Sequence, residues 1–140
     1  MAAIRLASAC ALVLTQLVGC GPSAPAGPAV PPGPSVTLEL VSGSATRDGA
    51  EIVCTVKYRI TAGRPEPTDR FRVEFRDPKE GFAIIAKLEG KDLTPEGEFK
   101  GRFVPRKPFG PEPHPYQIMV HQDYPGEKGG LASNVLKGEV

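Results

Sequence analysis

The sequence predicts an all-β fold, a two-layered antiparallel sandwich of seven strands, and three observations predict it. Apolar residues recur at every second position in short runs, the period of a strand with one buried face. Turn-forming clusters of Gly, Pro and Asp separate the runs at the spacing of a small sandwich. No segment carries an apolar stripe of helical period with caps at its ends.

The first run alternates Val36, Leu38 and Leu40 with Thr37 and Glu39. The second, residues 52–60, sets Ile52, Cys54, Val56, Tyr58 and Ile60 against Thr55, Lys57 and Arg59. Phe71, Val73 and Phe75 alternate with Arg72, Glu74 and Arg76 in the third. Phe82, Ile84, Ala86 and Leu88 make a fourth, Phe99, Gly101 and Phe103 a fifth, and Tyr116, Ile118 and Val120 a sixth. The seventh, residues 131–140, alternates less cleanly. Turns are expected at 47–49, 63–69, 77–81, 89–91, 94–97, 105–115 and 124–130.

The order and length of these runs over residues 35–140 resemble immunoglobulin-like and fibronectin-III-like domains. Tyr116, two residues before Ile118, is similar to the tyrosine corner of such domains. The resemblance implies that loops 63–69, 89–97 and 124–130 gather at the end where the chain enters, with the proline-rich loop 105–115 at the opposite end. The chain departs from the family pattern in having no Trp and no core cysteine pair, and a transthyretin-like or carboxypeptidase-regulatory-like sandwich is the competing topology. This architecture hosts many unrelated functions.

Ahead of this domain, residues 1–19 read as a secretory signal peptide. Arg5 is its only charged residue, and the apolar run from Leu6 is shorter than the about 20 residues a membrane span needs. Leu17-Val18-Gly19-Cys20 resembles the lipobox of bacterial lipoproteins. That resemblance implies cleavage before Cys20 and a diacylglyceryl thioether on its sulfur, so the membrane itself is the first expected partner. Two or more acyl chains anchor stably where one does not. Gly21, where an Asp tends to mean retention in the inner membrane, leans the expected location toward the outer membrane of the cell envelope. Residues 20–34 hold the candidate lipidated Cys20 and a linker of mostly Pro, Gly, Ala and Ser, too poor in apolar side chains to pack. At about 3.1 Å per residue for proline-rich chain it spans roughly 30–45 Å.

With 140 residues one domain is expected. Lys and Arg number 17 and Asp and Glu 16; losing Arg5 with the signal peptide leaves them equal, which argues against a nucleic-acid partner. Of Cys10, Cys20 and Cys54, only Cys54 remains as a free thiol after cleavage and lipidation, and its phase makes it a core residue.

No Gly-x-Ser-x-Gly, Walker or His-Glu-x-x-His pattern is present, so no catalytic residue and no cofactor is assigned. His121 and Asp123 share one face of the sixth strand and, with His114, fall short of the three or four tied ligands a metal asks for; that face points to solvent. Lys57, Arg59, Lys100 and Arg102 lie on outer faces of strands expected to be neighbours, where Glu51 and Glu98 are placed to pair with them. Phe109 and His114, bracketed by Pro108, Pro111, Pro113 and Pro115, are the candidate partner-binding residues, Phe109 serving either as an exposed anchor or as a cap on the core. The function expected is that of a non-enzymatic envelope lipoprotein presenting a sandwich surface to a protein or envelope polymer. The alternative is a small-ligand or carbohydrate-binding module built from loops at one end. Few aromatics stand outside the predicted core to form a sugar platform.

Overall fold

The computed structural model describes residues 33–140. The signal peptide, the lipobox with Cys20 and nearly all of the linker lie outside the described residues. Among the described residues no helix is long and apolar enough to cross a membrane.

Eight strands follow in order: β1 (Val36–Asp48), β2 (Glu51–Gly63), β3 (Arg70–Asp77), β4 (Gly81–Glu89), β5 (Glu96–Phe103), β6 (Pro115–Tyr124), β7 (Glu127–Leu131) and β8 (Leu136–Glu139), with one 3₁₀ turn at Gly90–Asp92. All strand pairs are antiparallel. One sheet runs β1-β2-β5, and the other runs β4-β3-β6 with both β7 and β8 against the far side of β6. This is the expected β-sandwich of two antiparallel sheets, with β7 and β8 standing where one seventh strand was expected.

The core lies between the sheets. Leu38, Val56, Phe71, Phe75 and Ile118 are fully buried, each large side chain contributing about 1.5–3 kcal/mol by leaving water. Tyr58 stacks on Phe99 at 4.2 Å, and Phe75 packs against both Phe103 and Tyr116. Cys54 is buried in this core as expected, with its thiol pushed up to about 11 by burial. Tyr116 is buried in this core against Phe75, and burial raises its phenol above the usual range.

Three elements depart from the expected pattern. β1 continues well past Leu40, because residues 42–48 pair with β2 through backbone hydrogen bonds that need no apolar alternation. It turns into β2 through Gly49-Ala50, with Gly49 at φ +62°, the left-handed first position of a tight hairpin. The expected turn at 124–130 shrinks to two residues, and Glu127–Leu131 pairs with β6 as β7. In β4, Val73 faces Ala86 but Glu74 faces Ile84, so Ile85 is an extra residue with no opposite partner. This bulge reverses the alternation. Ile85, Ala86 and Leu88 turn to the core, while Phe82 and Ile84, expected on the same face as Ala86 and Leu88, point outward.

The two ends of the sandwich are built from different segments, as the resemblance implied. Around Ser35 gather Asp69, which accepts a hydrogen bond from Ser35 Oγ at 2.6 Å, Gln122, whose Oε1 accepts from Ser35 N at 2.7 Å, and Gly90, which donates to the Asp69 carbonyl. Loop 105–115 lies at the other end, tied to Arg47 near the far end of β1.

Candidate functional site

At the end away from Ser35, a groove opens between β4, the end of β5 and the proline-rich loop. Phe75 and Phe103 line it from the core side, and Phe109 comes from the loop. Phe82 and Val104 stand on it 62% and 63% exposed. Its volume is about 160 Å³. Each wall has a local cause. The bulge at Ile85 swings Phe82 out, and Pro105 after Val104 stops the β5 pattern where β5 leaves its sheet.

Phe109 is half-buried, and the structure bears out the cap on the core. It packs against the edge of the core and also lines the groove. Its ring stacks on His114 at 4.0 Å and 11°, and the Arg47 guanidinium sits 5.9 Å from its centre. The loop is then held by Arg47, which donates to the carbonyls of Gly110 (2.5 Å), Glu112 (3.0 Å) and Val140 (3.0 Å). His114 exchanges backbone hydrogen bonds with Val140, and its Nε2 lies 2.6 Å from Asp77 Oδ2. Burial alone raises the Asp77 carboxyl, but hydrogen bonds from the Lys79 backbone and from His114 outweigh it and hold the group below the usual carboxylate range. His114 is thus engaged inside the fold, and Phe109 is the member of the pair that reaches the groove.

His121 and Asp123 lie on the outer face of the larger sheet, as expected, and are drawn into a charged cluster there. Arg72 bonds Glu74 Oε1 at 2.6 Å and also pairs with Asp123. Arg76 lies 3.5 Å from Glu74 Oε2, and His121 Nδ1 lies 3.4 Å from Glu74 Oε1. Glu74 is only 3% exposed although its strand position faces outward. His114 stands just before β6, so His121 lies about 20 Å further along the chain's extended path. Among the described residues, no three His, Cys, Asp or Glu side chains converge as a metal requires.

Three of the four basic side chains of β2 and β5 are paired, Arg59 with Glu39 at 2.6 Å, Lys100 with Glu98 at 2.9 Å and Arg102 with Glu51 at 3.1 Å, while Lys57 has no ion pair among the described residues. At the Ser35 end a broader polar cleft lies among Arg70, Lys87, Lys91, Glu89, Asp92 and Asp123, where cations and carboxylates balance.

Phe82, Val104 and Arg106 are the groove residues that the alternation pattern misses. The sequence signal for Phe82 is the doublet Ile84-Ile85, two bulky residues in succession where strict alternation allows one, which is how a bulge reads. Fold and groove together define a class: a small β-sandwich with a largely apolar recess at one end. No protein-family model matches the chain, and no curated protein or solved structure matches it significantly.

Proposed function

We propose that this chain is a non-catalytic lipoprotein of the bacterial cell envelope, tethered through Cys20, whose sandwich presents its groove end to a protein or envelope-polymer partner. The observation that carries the reading is the exposure of Phe82 and Val104 on either side of a recess lined by Phe75, Phe103 and Phe109. Apolar side chains clustered in the open mark interaction surfaces, whereas scattered ones do not. The lipobox-like Leu17-Val18-Gly19-Cys20 supports the anchor, and the proline-rich stretch after it supports a spacer that holds the domain off the bilayer.

The test is a crosslinking pull-down of the lipidated protein from its native envelope, with Cys20→Ala as control. One dominant partner, lost with the anchor, is the expected result. No partner above background overturns the reading. A second reading, a carbohydrate-binding module, draws on the exposed ring of Phe82, a surface on which a sugar can stack. Phe82 is the only exposed aromatic ring among the described residues, short of the several rings of a sugar platform, which favours the first reading. Glycan binding abolished by Phe82→Ser would reverse that preference.

A further inference from the structure

We propose that the groove receives one large apolar side chain from an acidic segment of a partner protein; this deepens the reading above and rests on it. Three observations converge. The recess is sized for a single ring, since a cavity on the order of 150 Å³ holds one benzene, and it measures about 160 Å³. Its walls are preorganised, because Arg47 and the stacked pair Phe109–His114 already hold the loop. A ligand therefore meets little ordering cost. Ile84, two residues from Phe82 and 40% exposed on the same outer face of β4, extends the apolar surface by about 7 Å, enough for a second side chain of the same segment.

Charge identifies the flanks of that segment. Arg106 and Lys107 line the groove, Arg76 faces Phe82 across the β3–β4 ladder, and Lys79 sits in the adjoining turn. Three carboxylates accompany these four cations, and one of them, Glu74, is shared with Arg72. Asp77 is buried and engaged with His114, and Glu80 lies 3.3 Å from Lys107. Arg76 shares Glu74, while Arg106 and Lys79 have no ion pair among the described residues. Elsewhere on the outer faces of β2 and β5, Arg59, Lys100 and Arg102 each have a carboxylate partner, and Lys57 stands alone rather than beside a second unpaired cation. In a chain of 17 basic and 16 acidic side chains, an excess of positive charge beside the recess selects carboxylates on what enters it.

The test uses the chain from residue 20 on, with Cys20→Ser, labelled with ¹⁵N. Every member of the core lies in this length of chain. It is titrated with the peptide acetyl-DEFED-amide and with two controls, acetyl-DESED-amide and acetyl-KKFKK-amide. The expected result is amide shifts confined to the neighbourhood of Phe82, Val104, Lys107 and Phe109. The acidic phenylalanine peptide should bind at least tenfold more tightly than either control, and more weakly at high salt. Arg106→Glu with Lys107→Glu should weaken it at least tenfold while leaving the rest of the spectrum in place. Phe82→Ser, an exposed position, should do the same.

Absence of shifts at millimolar peptide overturns the proposal, as does equal binding of the lysine-flanked control. A response to phosphatidylglycerol vesicles with none to peptide overturns it too, and assigns the surface to lipid. Any of these failures leaves the pull-down result standing, so the proposed function and this deeper assignment fall separately.

Discussion

Asn134 lies in the short break between β7 and β8, and its side chain replaces a strand there. Its Oδ1 accepts from Leu40 N at 2.7 Å, and its Nδ2 donates to the Leu40 carbonyl at 3.3 Å. Leu40 is buried beside an irregularity in the β1–β2 register, so its peptide groups depend on this one amide. Asn134→Ala leaves both unsatisfied and should destabilise the fold by about 1–3 kcal/mol in urea titration. A loss under 0.5 kcal/mol would show that the pair is replaceable by water. Cys54 sets a second expectation. An unfolded thiol ionises near 9.0, and burial raises the folded one to about 11. Between those values the unfolded chain has released a proton that the folded chain still holds. Stability is therefore fully present below about pH 9 and falls as pH rises toward 11, by at most about 1.4 kcal/mol per pH unit from this group. Comparison with Cys54→Ala isolates the effect from the tyrosines and lysines that titrate nearby. In the chain with Cys20→Ser, a thiol reagent at pH 8 should label Cys54 only after denaturant is added.

At the scale of the element, the bulge in β4 does more than expose Phe82. The carbonyl of Ile85 presses toward β5 at Gly101, where a Cβ would stand 2.0 Å from that oxygen. Only glycine lets the two edge strands come this close. Gly101→Ala should therefore cost about 1–3 kcal/mol by forcing β4 and β5 apart. It should also weaken peptide binding at the groove, because Phe82 and Phe103 sit on those same strands. Calorimetric melting reads the first effect and the amide titration the second. The bulge explains as well why parts of the fold were legible and others were not. β2, β3 and β6 each bury one face along their length, so period two is written into their residues. β7 spends two of its five positions on Gly129 and Gly130, which carry no side chain to form a pattern. The end of β1 pairs through backbone alone. At the site, proline density singled out Phe109 and His114, but Phe82 was hidden, since one inserted residue turns an apparent core position outward. Arg47 was read as part of a turn because nothing local records that its partners stand more than sixty positions along the chain.

For the whole molecule, the two ends are fastened by unrelated sets of contacts. Ser35, Asp69 and Gln122 close one, and Arg47, His114 and Val140 close the other. The domain begins at the first end and opens its apolar groove at the second, beside the proline-rich loop, an arrangement that suits the tether proposed above. The design implies that the outer end can loosen without the entry end following. Arg47→Ala removes three hydrogen bonds to carbonyls and the cation over Phe109. Because Arg47 is exposed, the loss should be modest, about 1–2 kcal/mol, and local. Hydrogen exchange reads it: the His114 and Val140 amides should exchange about tenfold faster for each 1.4 kcal/mol lost. Those of Arg64, Asp69 and Gly90 around Ser35 should be unchanged. If protection fell equally at both ends, the sandwich would open as one unit, and the groove would owe its shape to global stability. If only the outer end responds, Arg47 is what holds the groove ready for a partner, and the same variant should bind the acidic peptide more weakly while melting almost as the parent does.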